Sequence, residues 1–211
     1  MEKFNFNNTG FISCSYVEAS QLFLSALKSE KAKIFSHLNL FNFYLFCRNN
    51  KQNNTIFNNQ HFFFEGIFLK LSMFLLKKDW LPDINGTDLF EIVINELSLL
   101  NSKIFLLGAD DSTVEIAANN IKNKYQANVV GYHHGFYKKT DEEKIVDIIN
   151  TSGSDILLSG MGFEKEIYFA IRNQEKLNVK IIWNVGGLFD FLSGKKKRCP
   201  VLLPVLSPTW R

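Results

Sequence analysis

Residues 180–200, KIIWNVGGLFDFLSGKKKRCP, decide how the rest of the chain is read. Ile181, Ile182 and Trp183 make the short apolar run of a buried strand. Gly186-Gly187 lets the backbone turn without a Cβ penalty, and an apolar segment with one acid, Asp190, follows. Strand, tight turn and helix start in that order belong at the carboxyl edge of an open parallel sheet. There, bare amides and the positive end of a helix dipole attract an anion such as a diphosphate. Asp190, one helical turn further in, is placed to accept hydrogen bonds from a ribose or a base. An ordinary βα connection with a capping acid has the same sequence, because glycine pairs are weak motifs.

Working back from this stretch, the pattern is regular from Lys103. Ile104 to Gly108 reads as a strand, Ser112 to Lys124 as a helix, Asn128 to Gly131 as a strand and Asp141 to Thr151 as a helix. Asp155 to Leu158 is the next strand, Glu164 to Gln174 the next helix and Lys180 to Val185 the last strand. Strands alternating with helices of roughly a dozen residues are βαβ units, which predicts an α/β fold: a single Rossmann-like domain, 1–211, with a mostly parallel sheet and helices on both faces. The turn Gly108-Ala109-Asp110-Asp111 is neither G-x-G-x-x-G nor a Walker A loop, and its acids read as helix caps.

The first half carries the same alternation less regularly. Gly10 to Cys14 reads as a short strand, Val17 to Lys28 as an amphipathic helix, Lys33 to Asn39 as a strand and Leu40 to Arg48 as a helix. Alternation puts His37 and Asn39 on one face at the strand exit. The asparagine-rich stretch from Asn49 to Asn59 reads as a surface loop. Phe62-Phe63-Phe64 then forms a buried strand that delivers Glu65, followed by Gly66, to the sheet edge where active sites of open α/β sheets collect. An acid buried there has a raised pKa suited to proton abstraction; a helix-capping acid is the plainer reading. Ile67 to Lys78 reads as a helix, and Asn85-Gly86-Thr87-Asp88 opens another through Leu100, with Thr87 or Asp88 as its N-cap.

Composition narrows the classes. With 211 residues and a net charge of +3 the chain can bury one sizeable core, and no helix interleaves basic residues for groove contact, so nucleic acid is not the expected partner. Cys14, Cys47 and Cys199 are odd in number and lack metal-ligand spacing, which points to reduced thiols in a cytoplasmic protein with no metal site. Glu2, Lys3 and the following asparagines do not make a signal peptide, and the apolar stretch from His61 to Leu76 is interrupted by Glu65 and Lys70.

The chain resembles the WecG/TagA/CpsF family of bacterial glycosyltransferases. The resemblance is carried by Asn39, Glu65-Gly66, Gly86-Thr87-Asp88-Leu89, Phe105 to Gly108, and Gly131 with His134-Gly135-Phe136-Tyr137. It continues through Asp155 to Leu158 with Gly162, and ends in Val185 to Phe191 with Ser193 to Arg198 and Pro200. It implies inverting transfer of an N-acetylmannosamine-type sugar from a UDP donor to a lipid-diphosphate-linked acceptor at the inner face of a membrane, without a dinucleotide cofactor or a required metal. It further implies Glu65 as general base beside His37 and Asn39. Gly108, Phe136, Tyr137, Gly162, Gly186, Gly187 and Asp190 would lie at the nucleotide. Lys195, Lys196, Lys197 and Arg198 would face the acceptor diphosphate or anionic headgroups, and a homo-oligomer is compatible with all of this.

The chain departs from the family pattern at several positions. The family's usual base is Asp where this chain has Glu65, and members usually carry Thr, two residues before the Asn, where it has His37. Asp83 replaces an arginine, and Glu164-Lys165-Glu166-Ile167 replaces Pro-x-Gln-Glu. The segment 195–211 reads as a shortened membrane-apposed tail. These differences leave His37 open as an alternative base, and they leave open a homologue that binds a nucleotide sugar without transferring it. A Rossmann-type oxidoreductase is the third reading, weakened by the missing glycine fingerprint.

Overall fold

The computed structural model of the chain describes residues 2–6, 9–49, 60–77 and 84–197. Its strands are β1 (Glu2–Phe6), β2 (Thr9–Ser13), β3 (Lys33–Leu38), β4 (Gln60–Phe64), β5 (Ile104–Gly108), β6 (Val129–His133), β7 (Ile156–Gly160) and β8 (Ile181–Asn184). The helices are α1 (Tyr16–Ala26), α2 (Leu40–Asn49), α3 (Ile67–Lys77), α4 (Gly86–Leu99), α5 (Asp111–Tyr125), α6 (Glu142–Thr151), α7 (Phe163–Asn173) and α8 (Leu188–Leu192).

The strands make one sheet in the order β1-β2-β4-β3-β8-β7-β5-β6. All neighbours from β2 to β6 are parallel, as the βαβ rhythm predicts. β1, which the sequence reading did not anticipate, folds back antiparallel on β2 at the edge. Alternate residues of each strand go to opposite faces. Phe35, Phe63, Trp183, Leu158 and Leu106 meet α1, α4 and α5 on one side. Ile34, Ile182, Leu157 and Phe105 meet α6 and α7 on the other, and Leu38, Phe62 and Phe64 meet α2 and α3. Burying each of these large side chains contributes about 1.5–3 kcal/mol, which is why the short strands hold together.

Two connections fix where a site can form. β5 continues through α5 to β6 on one side, whereas β7 continues through α7 to β8 on the other. β3 likewise leads away to β4, while α8 after β8 turns back onto α5, where Asn120 Nδ2 donates to Leu192 O at 2.7 Å. Such reversals open crevices at the carboxyl ends of the strands.

Two local expectations are corrected. The cap of α4 is Asn85, not Thr87 or Asp88: its Oδ1 accepts from the amides of Thr87 at 3.0 Å and Asp88 at 3.3 Å. The short asparagine side chain reaches the orphan donors from outside the first turn. Asn39 lies beyond the end of β3, so it does not share a strand face with His37. Its Oδ1 instead accepts from the amide of Asn42 at 2.8 Å at the start of α2. Most of the asparagine-rich loop and the tail beyond Lys197 lie outside the described residues.

Candidate functional site

Glu65 leaves β4 at the carboxyl edge, its amide bonded to Leu38 O at 2.9 Å. The following Gly66 takes φ +96, a conformation that a residue with Cβ rarely adopts, and so the chain turns at once into α3. The Glu65 side chain remains 27% exposed. One carboxylate oxygen, Oε1, accepts from Asn85 Nδ2 at 3.3 Å, and the other, Oε2, lies 3.9 Å from His37 Nδ1. Asn85 is held in turn by its amide, which donates to Tyr16 OH at 2.9 Å. The N-terminal residues of α4 thus carry the amide that holds the acid, and Gly86 packs against the His37 ring.

His37 is enclosed by Phe63, whose ring centroid is 5.5 Å away, and by Trp183, whose Nε1–H donates to His37 Nε2 at 3.2 Å. Burial pushes its pKa down to about 4, opposed by the backbone of Ile84, so the ring is neutral at pH 7. The structure brings Glu65 and His37, both singled out in the sequence, within 3.9 Å of each other. Sequence reading missed Asn85 and Trp183, whose roles depend on which strands become neighbours.

A second cluster lies at the carboxyl ends of β5, β7 and β8. A Cβ on Gly108 would fall onto the carbonyl of Gly160, and one on Gly160 would stand 2.9 Å from the Phe189 ring and 3.0 Å from Gly186 O. Gly135 is similarly close to Gly108 and Met161. Glycines let three turns converge there. Gly162 and Gly186 sit at the same edge with φ of +90 and +56.

The Gly186 amide is not bare, as the sequence reading had it. It donates to Glu166 Oε2 at 3.2 Å. Glu166, in the first turn of α7, is 3% exposed, and burial pushes its pKa up to about 8 against the stabilising backbone of Gly186, Met161 and Gly162. Phe136 is 76% exposed at the mouth of this cluster. Tyr137 lies inward with its hydroxyl buried, and Lys165 Nζ stands 4.2 Å over its ring while donating to Gly135 O. Lys165 is a cation at this edge that the sequence reading did not single out.

The basic cluster is partly committed to ion pairs. Lys195 Nζ lies 2.8 Å from Asp110 Oδ2, and Lys196 Nζ 2.7 Å from Asp190 Oδ2. Lys195 and the amide of Thr113 hold the Asp110 carboxyl well below the usual range. Asp190 is therefore paired where it was expected to meet a nucleoside. Lys197 is exposed, and Arg198 lies outside the described residues.

Fold and edge together define an open, doubly wound α/β protein whose ionisable side chains and glycine turns collect at the carboxyl ends of its parallel strands. Residues 4–210 match the model of the Glycosyl transferase WecG/TagA/CpsF family, and the chain belongs to that family. It is 28% identical over 135 residues to the N-acetylglucosaminyldiphosphoundecaprenol N-acetyl-beta-D-mannosaminyltransferase of Staphylococcus aureus strain NCTC 8325 / PS 47. That match covers 64% of this chain and 53% of that protein. The protein of the same name from strain COL matches with the same identity and coverage. The chain spans about half the length of the curated relatives it matches.

Proposed function

We propose that the chain is an inverting glycosyltransferase that moves an N-acetylmannosamine-type sugar from a UDP donor to a lipid-diphosphate-linked acceptor in cell-surface polysaccharide synthesis. Family membership and the relatives' names support the reaction class. The observation that carries the mechanism is the Glu65 carboxylate, held through one oxygen by Asn85 at the sheet edge and still open to solvent. In this reading Glu65 removes the proton from the acceptor hydroxyl. The hydroxyl oxygen forms its bond to the anomeric carbon from the face opposite UDP, and the bond to UDP breaks with its electron pair leaving on the diphosphate. The ammonium of Lys165 is the cation at this edge placed to meet that charge, since the amides of Met161, Gly162 and Gly186 face the buried Glu166 carboxyl. No bound cofactor takes part.

Among the described residues no helix is long and apolar enough to cross a membrane. The lipid-linked acceptor would then be met at the membrane surface, with Lys197 the described cation of the basic cluster not engaged in an ion pair given above.

The test is transfer by Glu65→Gln. Rate should fall by about 10²–10⁴, the usual contribution of a positioned base, with UDP affinity and melting temperature nearly unchanged. Glu65→Asp should keep part of the activity. Normal turnover by Glu65→Gln would sink the assignment. A wild-type chain that binds UDP yet transfers no sugar from a panel of UDP-sugars would instead favour a nucleotide-sugar-binding homologue.

A further inference from the structure

The two ring nitrogens of His37 have unlike surroundings. Nε2 receives the indole N–H of Trp183 at 3.2 Å, and an indole nitrogen can only donate, so Nε2 must present its lone pair. A neutral imidazole then carries its proton on Nδ1. Nδ1 is buried and lies 3.9 Å from Glu65 Oε2, and the backbone of Ile84 is the further polar group that favours a proton on the ring. The ring has little room to turn away. Phe63 flanks it, Gly86 packs on it so closely that an added Cβ would stand 3.4 Å from ring atoms, and Trp183 is itself wedged between Phe23 at 4.4 Å and Phe90 at 5.9 Å.

We propose that Trp183 is a positioning residue for transfer: its indole N–H locks His37 in the Nδ1–H tautomer, which makes His37 a hydrogen-bond donor to Glu65 and not a second base. The inference rests on Glu65 being the base. The low pKa of the ring agrees with it, since a charged imidazolium would have no lone pair for Trp183. At 3.9 Å the Nδ1 to Oε2 contact is longer than a hydrogen bond, and contacts of this kind tighten when substrate closes a site. With Asn85 on one oxygen and His37 closing on the other, both carboxylate oxygens have a donor that limits rotation of the group at the sheet edge.

The deciding experiment reads the tautomer directly, by long-range ¹H–¹⁵N correlation of the histidine rings in the full chain near pH 7, with His37→Ala used to assign the signals. A protonated, pyrrole-like Nδ1 and a pyridine-like Nε2 are expected for His37. Trp183→Phe, which keeps an aromatic ring and removes the donor, should shift population to the Nε2–H form. It should also lower kcat by roughly tenfold with donor KM unchanged. His37→Asn, whose amide can place an N–H where Nδ1–H stood, should retain clearly more activity than His37→Ala. An Nε2–H or doubly protonated wild-type ring overturns the proposal. So does Trp183→Phe with unaltered tautomer and kcat, or His37→Asn as inactive as His37→Ala. If wild type shows the Nδ1–H form but Glu65→Gln transfers normally, the tautomer stands and the role of Glu65 as base is what fails. If Trp183→Phe does not fold, the wild-type ring signals and the two His37 variants still decide.

Discussion

Glu166 lies 3% exposed under the turn after β8, and its carboxyl receives the amide of Gly186. Its pKa, raised by burial to about 8, gives a stability effect with a definite sign. In the unfolded chain the group loses its proton near the ordinary glutamate value, about 4.3, while in the folded chain it holds that proton until about pH 8. Between those values the folded state binds more protons, so stability falls as pH rises, by at most about 1.4 kcal/mol per pH unit from this group. Glu166→Gln keeps an acceptor for Gly186 and removes the titration. Its melting temperature should exceed that of wild type by a margin that grows from pH 5 to pH 8; a margin independent of pH would show that the carboxyl does not titrate as described. In the sequence, Glu164-Lys165-Glu166 looks like a solvated charged start to a helix. Helical spacing with the apolar Phe169 and Ala170 was the signal that Glu166 faces inward.

At the level of elements, the strands from β5 onward were legible because each is an apolar run ending at glycine or a polar residue. β1 was not, since Glu2–Phe6 lacks a continuous apolar run and pairs only with its hairpin partner. Caps were half legible. Asp110 was read as a cap and accepts from the amide of Thr113 at 2.8 Å, whereas Asn85 was passed over for its neighbours. Gly186-Gly187 reads from sequence as a tight turn and Gly108 as a strand end, but Gly108 is required by proximity. An added methyl there meets the backbone of β7, which no side-chain rotation can relieve. Gly108→Ala should therefore cost about 1–3 kcal/mol of stability, the range for overpacking a tight site, as measured by urea denaturation. Stability equal to wild type would mean that β5 and β7 are less closely apposed than described.

The order of strands across the whole sheet was the part least written in the sequence. Local pattern announces a strand but not its neighbour, and the pairing of β3 with β8 joins Ser36 to Asn184 through a 2.9 Å hydrogen bond across 148 positions. His37 and Trp183 meet only because of that pairing, which is why half of the site escaped a linear reading. Ligand binding should report on the assembled edge: UDP at 100 times its Kd should add about 2.7 kcal/mol to stability and raise the melting temperature, while NAD should leave it unchanged. A response to NAD and none to UDP would return the fold to the dinucleotide-binding reading. The β3–β8 seam also bears on how the chain is made. On the ribosome, β3 and β4 emerge more than a hundred residues before β8, and until Ile181–Asn184 is synthesised β3 is an open edge with Phe35 still waiting for Trp183. Translation that stalls before that strand leaves a half-sheet primed to pair with another chain, so chaperone dependence should peak in the nascent chain just short of β8.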